Sequence, residues 1–543
     1  MSTLRDGRYA TSSGSGANGT TGVVLNLRVQ WRTGWKVLLA WVLGLFALVL
    51  ITTTSIKGLY DTPAKLSTYA ESLATPALRM LNGDVAGVDT LGGVFVNELG
   101  FVIAFAVPLL AIALTVRGTR REEEAGRLEL LLASRMGRQA PLIAAALLAL
   151  AALLVLGALT SLSFIAVGAA ALGSVVYGLA VFALGAVFVG LTAVLAQAFA
   201  HQRSVWGAGL SLVLAAYVLR GIGAVDGSWV IWLSPHGWYD EASPFGDPQV
   251  LPFVLSAATT LVLLVVALRL STGRDVGGSL VAARTGPHRA SAALQTPFGL
   301  ALREHQAVTL GWAVLVAILM GTYGSLSQVV IDAFEGNPDL AAYLGGGTAG
   351  IIEPMAAMFV LLLSMLVSGY VLQSLGSLRK EEVTGRLELQ LSEARGRTAW
   401  LIPHLAIVAV GTLVVAGLGA LALGVSTAVS LDDSAWVGTI LTASAAHLPV
   451  ALLFAGASVA IFGGLPRAQP MVWVVFAVSA VLAYMGPGLD LPTWLIEWSP
   501  FGLVGNVPAE DVDIIGSLVA GLGGLALLAL GVVRFTLRDI PHR

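Results

Sequence analysis

The residues able to do chemistry in this chain are few, and their spacing excludes most chemistries. Seven histidines, His201, His236, His288, His305, His404, His447 and His542, are its general-base and metal-ligand candidates. None sits in a His-Glu-x-x-His pattern, and no serine, histidine and acid fall at an informative spacing. No catalytic residue and no metal site is assigned. Cysteine is absent, which removes disulfides and thiolate metal sites. A phosphate-gripping Walker A loop needs a lysine directly after glycine. The four lysines, Lys36, Lys57, Lys65 and Lys380, follow Trp35, Ile56, Ala64 and Arg379, so these residues supply no such loop.

Two kinds of residue remain. Glu98, Arg220, Glu353 and His447 fall within or at the ends of long apolar runs, where an ionisable group is a functional candidate by default. They are candidates to line a path for an amphipathic or cationic molecule. The duller alternatives are that Glu98, Glu353 and Arg220 snorkel to an interface and that His447 bonds a carbonyl freed by Pro449. The second kind is a repeated cluster. Glu122-Glu123-Glu124-Ala125-Gly126-Arg127-Leu128-Glu129-Leu130-Leu131-Leu132 returns as Glu381-Glu382-Val383-Thr384-Gly385-Arg386-Leu387-Glu388-Leu389-Gln390-Leu391. From Glu122 to Arg138, 10 of 17 positions are identical at a constant offset of 259.

The elements that must position these residues follow from composition. Of 543 residues, 56% are hydrophobic and 11% charged, less than half the charge that a water-soluble chain carries. In hydrocarbon only helices and closed barrels satisfy the backbone, and apolar runs of about 20 residues indicate helices. Spans are expected near 37–56, 94–116, 141–163, 172–199, 205–225 and 250–270, then 311–330, 350–375, 400–425, 437–463, 470–489 and 513–535. The expected fold is an all-α polytopic membrane protein with about 12 transmembrane helices in two parallel-topology six-span repeats. With the amino terminus inside, only Lys57, Lys65, Arg79 and Arg220 of the 30 basic residues fall outside, so both termini are expected to be cytoplasmic. Further echoes support the duplication: Leu25-x-Leu27-Arg28 with Leu300-x-Leu302-Arg303, and Ser234-Pro235-His236-Gly237 with Ser499-Pro500-Phe501-Gly502. The organisation expected is a cytoplasmic tail and interface helix (1–36), a first six-span half (37–270), a linker and second interface helix (271–310), a second half (311–535) and a carboxyl-terminal tail (536–543).

Each repeated segment reads as a short amphipathic helix between the second and third spans of its half. Leu128 and Leu132, like Leu387 and Leu391, sit four apart on one face. Glu122 and Glu123 (Glu381 and Glu382) stand at the start, where the helix dipole favours anions, and Gly126 and Gly385 permit a bend. An acidic knob with an apolar side suits a groove on another protein. A helix lying on lipid headgroups is the alternative, disfavoured because the cytoplasmic leaflet is itself anionic.

The pattern Glu-Glu-x-x-Gly-Arg-Leu-Glu-Leu-x-Leu in this place resembles the coupling helix of bacterial ABC exporter permeases of the type V fold. Its duplicated form most resembles the fused twelve-span polyketide-antibiotic permeases, including mycobacterial tetronasin-type drug efflux permeases. The resemblance implies a multi-pass protein of the bacterial cytoplasmic membrane that exports hydrophobic or amphipathic compounds. It implies no cofactor in this chain, with ATP and Mg on a partner: two copies of a cytosolic ABC ATPase, bound through Glu122, Glu123, Gly126, Arg127, Leu128, Glu129 and Leu132, and through Glu381, Glu382, Gly385, Arg386, Leu387, Glu388 and Leu391. The other partners expected are membrane lipids and a hydrophobic small-molecule substrate, with no nucleic acid. It further implies interface helices at 22–33 and 297–309 and re-entrant helices within 228–248 and 492–511. Gln390 for Leu131 and Val383-Thr384 for Glu124-Ala125 raise the expectation that the halves couple unequally. A twelve-span proton-coupled drug transporter is the alternative, since such proteins also repeat a Gly/Arg motif between spans 2–3 and 8–9.

Overall fold

The computed structural model describes residues 19–539 apart from 61, 73–81, 84, 133–135, 276, 282–287, 290, 329–330, 332–351, 393–395, 487–491, 493 and 495–497. Among the described residues there is no strand, and chain contacts define two compact units, Met1–Thr285 and Gly286–Arg543. Unit 1 runs α1 (Val23–Leu59), α2 (Pro63–Ser72), α3 (Leu91–Gly118), α4 (Arg120–Glu124), α5 (Arg127–Leu132), α6 (Ala140–Val167), α7 (Ala171–Ala198), α8 (Gln202–Asp226), α9 (Pro235–Glu241) and α10 (Leu251–Gly273). Unit 2 runs α11 (Pro297–Ser325), α12 (Ile352–Val383), α13 (Arg386–Ser392), α14 (Arg397–Leu431), α15 (Ala435–Ala446), α16 (Leu448–Gly464), α17 (Met471–Met485) and α18 (Ile514–Leu537).

Eleven helical stretches among the described residues are long and apolar enough to cross a membrane. Helices α3 and α7 in unit 1 and α12 in unit 2 are the most buried and form the unit centres. Helices α1, α10, α11 and α18 instead turn most of their apolar surface outward. Outward leucine and valine on helices that satisfy their own backbone is what a hydrocarbon solvent selects. The chain is a polytopic membrane protein.

Four expectations change. Of the stretch at 470–489, Met471–Met485 form α17, 15 residues or about 22 Å against a ~30 Å core, so among the described residues eleven helices are long enough by themselves where twelve were expected. The interface helices at 22–33 and 297–309 are not separate elements: α1 and α11 run through Gly34 and Gly311 into the spans, because a lone glycine lowers helix propensity without removing a hydrogen bond. The span expected at 437–463 is present as Ala435–Gly464, but a turn at His447 divides it, since Pro449 has no N–H to continue the ladder. The segment at 228–248 is a 3₁₀ turn (Trp229–Leu233) followed by α9; in 492–511 residues 493 and 495–497 lie outside the described residues, and the others hold a 3₁₀ turn at Gly502–Val504.

Those two turns are anchored alike. Ser234 Oγ donates to the Ala216 carbonyl of α8 at 2.6 Å and accepts the His236 N–H at 3.1 Å. Ser499 Oγ donates to the Ser479 carbonyl of α17 at 3.0 Å and accepts the Phe501 N–H at 3.3 Å. The ring that follows fills the same aromatic slot, His236 against Phe188 and Tyr217, Phe501 against Phe454 and Phe476. In unit 1 the ring has a second task. Pro108 lies inside α3 and cannot bond the Ala104 carbonyl four residues back; His236 Nε2–H donates to that oxygen at 2.8 Å. Unit 2 has Val367 in place of Pro108 at the 259 offset and needs no imidazole.

Burial holds the His236 imidazole down to about 4, its bond to Ala104 partly opposing and the Arg220 charge assisting. Protonation would add an N–H at Nδ1, which has no partner among the described residues. The folded-state value lies below the unfolded one, so the stabilisation is present above about 6.5 and is lost as pH falls toward 4, up to about 3 kcal/mol. Thermal unfolding in detergent between pH 7.5 and 4.5 should show this loss, and His236→Phe, which copies Phe501, should reduce it while weakening α3 at Ala104. An unchanged pH profile in that variant would refute the assignment.

Candidate functional site

The repeated acidic segments fold around a left-handed glycine. Gly126 has φ +68° and Gly385 φ +75°, and nothing lies within 4 Å of where a Cβ would stand, so glycine is required by backbone conformation alone. The glycine turns the chain from the end of the preceding helix into a short outward helix, α5 in unit 1 and α13 in unit 2. The sequence reading placed the two leading glutamates at the start of that helix. In unit 2 the structure places Glu381 and Glu382 in the last turn of the unbroken α12, and in unit 1 Glu122 and Glu123 in the separate α4, which starts after a break at Thr119.

Each leading glutamate has a fixed duty in both units. Glu122 grips Arg127 across the bend with two contacts of 2.7 Å, and Glu381 meets Arg386 at 3.1 Å; both pairs span five residues and are related by the 259 offset. The Glu122 carboxylate raises the pKa of Arg127, which keeps the pair ionised. The second glutamate reaches across the unit. Glu123 accepts from Arg274 Nη1 and Nη2 at 2.7 and 2.8 Å, from the Gly277 N–H at 2.7 Å, and lies 3.0 Å from Arg120. Glu382 accepts from Arg538 Nη2 at 3.0 Å. Arg274 and Arg538 are the residues that end α10 and α18, the last helices of their units. In both units, then, an ion pair ties the outward knob to the end of the last helix.

The ties differ in depth. Around Glu123 the side chain of Arg120 is 1% exposed, and both it and Arg274 also donate to the Gly278 carbonyl. Arg538 is 14% exposed and lies over the rings of Phe462 and Phe535, where part of its stabilisation is cation–π. Unit 1 has one further anchor: Glu124 accepts the Gln202 N–H at 2.6 Å at the start of α8, where unit 2 has the exposed Val383. That contact gives the Glu124/Val383 departure a structural consequence.

The leucine face also turns out differently. Leu387 is fully buried and Leu128 half-buried, so they point inward; Leu391 packs against the core of unit 2, and the side chain of Leu132 lies outside the described residues. Residues two apart on a helix point about 200° apart, so inward Leu128 and Leu387 put Leu130 and Leu389 outward. They are 76% and 70% exposed. Glu129 beside them is exposed and Glu388 half-buried. The outward face of each knob is therefore one leucine with one glutamate.

The four residues proposed for a path sit in separate local settings. Glu98 is exposed on α3 and accepts from Tyr69 Oη at 2.5 Å, which in turn accepts from Asn97 at 2.7 Å. Glu353 is exposed in the first turn of α12. Arg220 does not snorkel: it is 1% exposed, 3.4 Å from Asp240 and 4.5 Å from the Tyr217 ring centroid, because a carboxylate on α9 reaches it inside the unit. His447 Nδ1 faces the Ala443 carbonyl at 3.0 Å, a carbonyl one turn away rather than the one opposite Pro449.

Sequence reasoning missed Arg274 and Arg538, whose only signal was their shared place just past the last apolar run of each half. It also missed a buried histidine pair in unit 2, His305 Nε2 to His404 Nδ1 at 3.1 Å, with Trp400 against His404. At the echoed position of unit 1 stands Gln30, which donates to the Gly118 and Pro141 carbonyls at 3.2 and 3.1 Å.

Comparison with known proteins adds two findings. The family model described as "Multidrug efflux system permease Rv1217c, C-terminal domain" matches residues 26–270 and 294–536. The chain is 32% identical, over 543 residues, to the multidrug efflux system permease protein Rv1217c of Mycobacterium tuberculosis, an alignment covering 98% of this chain and 97% of that protein.

Proposed function

The chain belongs to the multidrug efflux system permease family, and proceeding from that we propose that it is the membrane permease of an ATP-driven ABC exporter of the type V, polyketide-antibiotic class, working with two copies of a cytosolic ATPase. In this reading it lies in the bacterial cytoplasmic membrane with both termini and both knobs inside, has twelve spans counting the short α17, and moves hydrophobic or amphipathic compounds outward. ATP and Mg belong to the partner.

One observation carries the reading: the knob is built twice, with the same two ion pairs, and each copy presents a leucine and a glutamate outward. A leucine held at the same place twice, on a rigid, charged, glycine-bent mount, suits a pocket on a partner. The Glu123–Arg274 and Glu382–Arg538 pairs give such a partner a mechanical route. Closure of the ATPase pair would push α5 and α13, and the ion pairs would pass that displacement to the ends of α10 and α18, a rigid-body switch.

The test is affinity purification of the full chain from native membranes, followed by identification and assay of what comes with it. A Walker-containing ATPase in a two-to-one ratio, with efflux lost when its Walker lysine is replaced, is the expected outcome. Drug uptake into vesicles holding this chain alone, driven by a proton gradient without ATP, would replace this reading with the proton-coupled one.

A further inference from the structure

The break in unit 2 between α15 and α16 leaves polar atoms beside a small cavity. Because the helix turns at His447, its N–H bonds the Ser444 carbonyl at 3.2 Å and leaves the Ala443 carbonyl, which takes the His447 Nδ1–H at 3.0 Å. A carbonyl oxygen only accepts, so Nδ1 carries the proton and neutral His447 presents Nε2 as an acceptor. His447 borders a cavity of about 10 Å³, room for the centre of one hydroxyl or water, together with Ser444 and, from α12, Ser364. All three side chains are more than nine-tenths buried, and neither Ser364 Oγ nor Ser444 Oγ has a hydrogen-bond partner among the described residues. The rest of the lining is apolar, with Leu363, Val367 and Ala416 among it. Buried polar atoms in an apolar wall are costly unless something bonds them.

Unit 1 does not build this. At the 259 offset Ser364 corresponds to Phe105. Counted from Phe188 and Phe454, which hold the same place beneath the Ser234 and Ser499 turns, His447 corresponds to Val181, in the unbroken α7. The polar cavity belongs to one half only.

We propose that His447, Ser364 and Ser444 form a subsite for the hydroxyl or neutral N–H of an otherwise apolar transported molecule. The acceptor Nε2 selects a donor, the two serine hydroxyls complete its hydrogen bonds, and the apolar surround rejects a charged head. The inference rests on the efflux reading above and not on its ATP-driven part, so absence of an ATPase would leave it standing.

The experiment compares thymol with its methyl ether, which differ by the one O–H, binding to the full chain in lipid nanodiscs and corrected against empty discs. The wild-type chain should bind thymol about fivefold or more tighter than the ether, the worth of one buried hydrogen bond. His447→Phe should bring the ratio to about one with ether binding unchanged, which also shows that the variant is folded. If that variant loses both ligands, Ser444→Ala decides: a reduced ratio supports the subsite, an unchanged one overturns it. A wild-type ratio of one, or no binding above empty discs, assigns the cavity to a structural water and overturns the proposal; so does a ratio that survives His447→Phe.

Discussion

Glu123→Ala is expected to destabilise unit 1 by about 3–5 kcal/mol, far more than the matching Glu382→Ala in unit 2. The reason is what each substitution leaves behind. Without Glu123, two guanidinium groups, Arg120 at 1% and Arg274 at 11% exposure, share the Gly278 carbonyl and Gln197 with no anion at their centre. Without Glu382, Arg538 still has solvent on one side and the Phe462 and Phe535 rings on the other, so a loss of about 1–2 kcal/mol is expected. Thermal unfolding of the purified chain in detergent measures both. Glu123→Gln, which keeps the shape and some of the hydrogen bonds, should fall between. Equal losses in the two units would show that burial does not set the strength of these ties.

The second large effect concerns the partner and not the fold. Leu130→Asp together with Leu389→Asp should abolish association with the proposed ATPase, each buried anchor being worth about 2 kcal/mol or more, hence roughly a thousandfold combined. Thermal stability should stay within about 0.5 kcal/mol of the parent, because both side chains stand in solvent. Leu387→Asp is the opposite case: a carboxylate at a fully buried position should unfold the unit 2 knob and cost stability first. Charge reversal should be felt more at exposed Glu129 than at half-buried Glu388. Association that survives the double leucine change would remove the outward face from the mechanism.

Much of this arrangement was legible in the residues. Composition and run length identify a helical membrane protein, and the duplicated Gly-Arg-Leu-Glu segment marks where both knobs lie and where each bends. Its orientation was not legible. A helix of six or seven residues has an apolar residue on every side here, Leu128, Leu130, Leu131 and Leu132, so periodicity alone does not say which side faces in. What decides is the pairing of Glu123 with an arginine 151 residues away and of Glu382 with one 156 away, and a pattern inside one loop carries no record of a partner at that distance. Helix continuity through Gly34 and Gly311 follows from the backbone ladder that a lone glycine leaves intact, which hydropathy does not register. The Pro108–His236 link was within reach, since a proline inside a span always leaves a carbonyl needing a donor.

Transmission from knob to last helix is the claim on which the proposed mechanism depends, and the absence of cysteine makes it directly measurable. Spin labels at Ala125→Cys, exposed at the bend of the knob, and Thr272→Cys would report the distance between the knob and the end of α10 while the assembled transporter is held with and without nucleotide. With Glu123 intact the distance should change by no more than about 2 Å, the two elements moving as one body. Glu123→Ala should broaden it. A nucleotide-driven change of about 5 Å or more in the unaltered chain would mean that the knob moves independently of the helix it is tied to, and the account would be wrong.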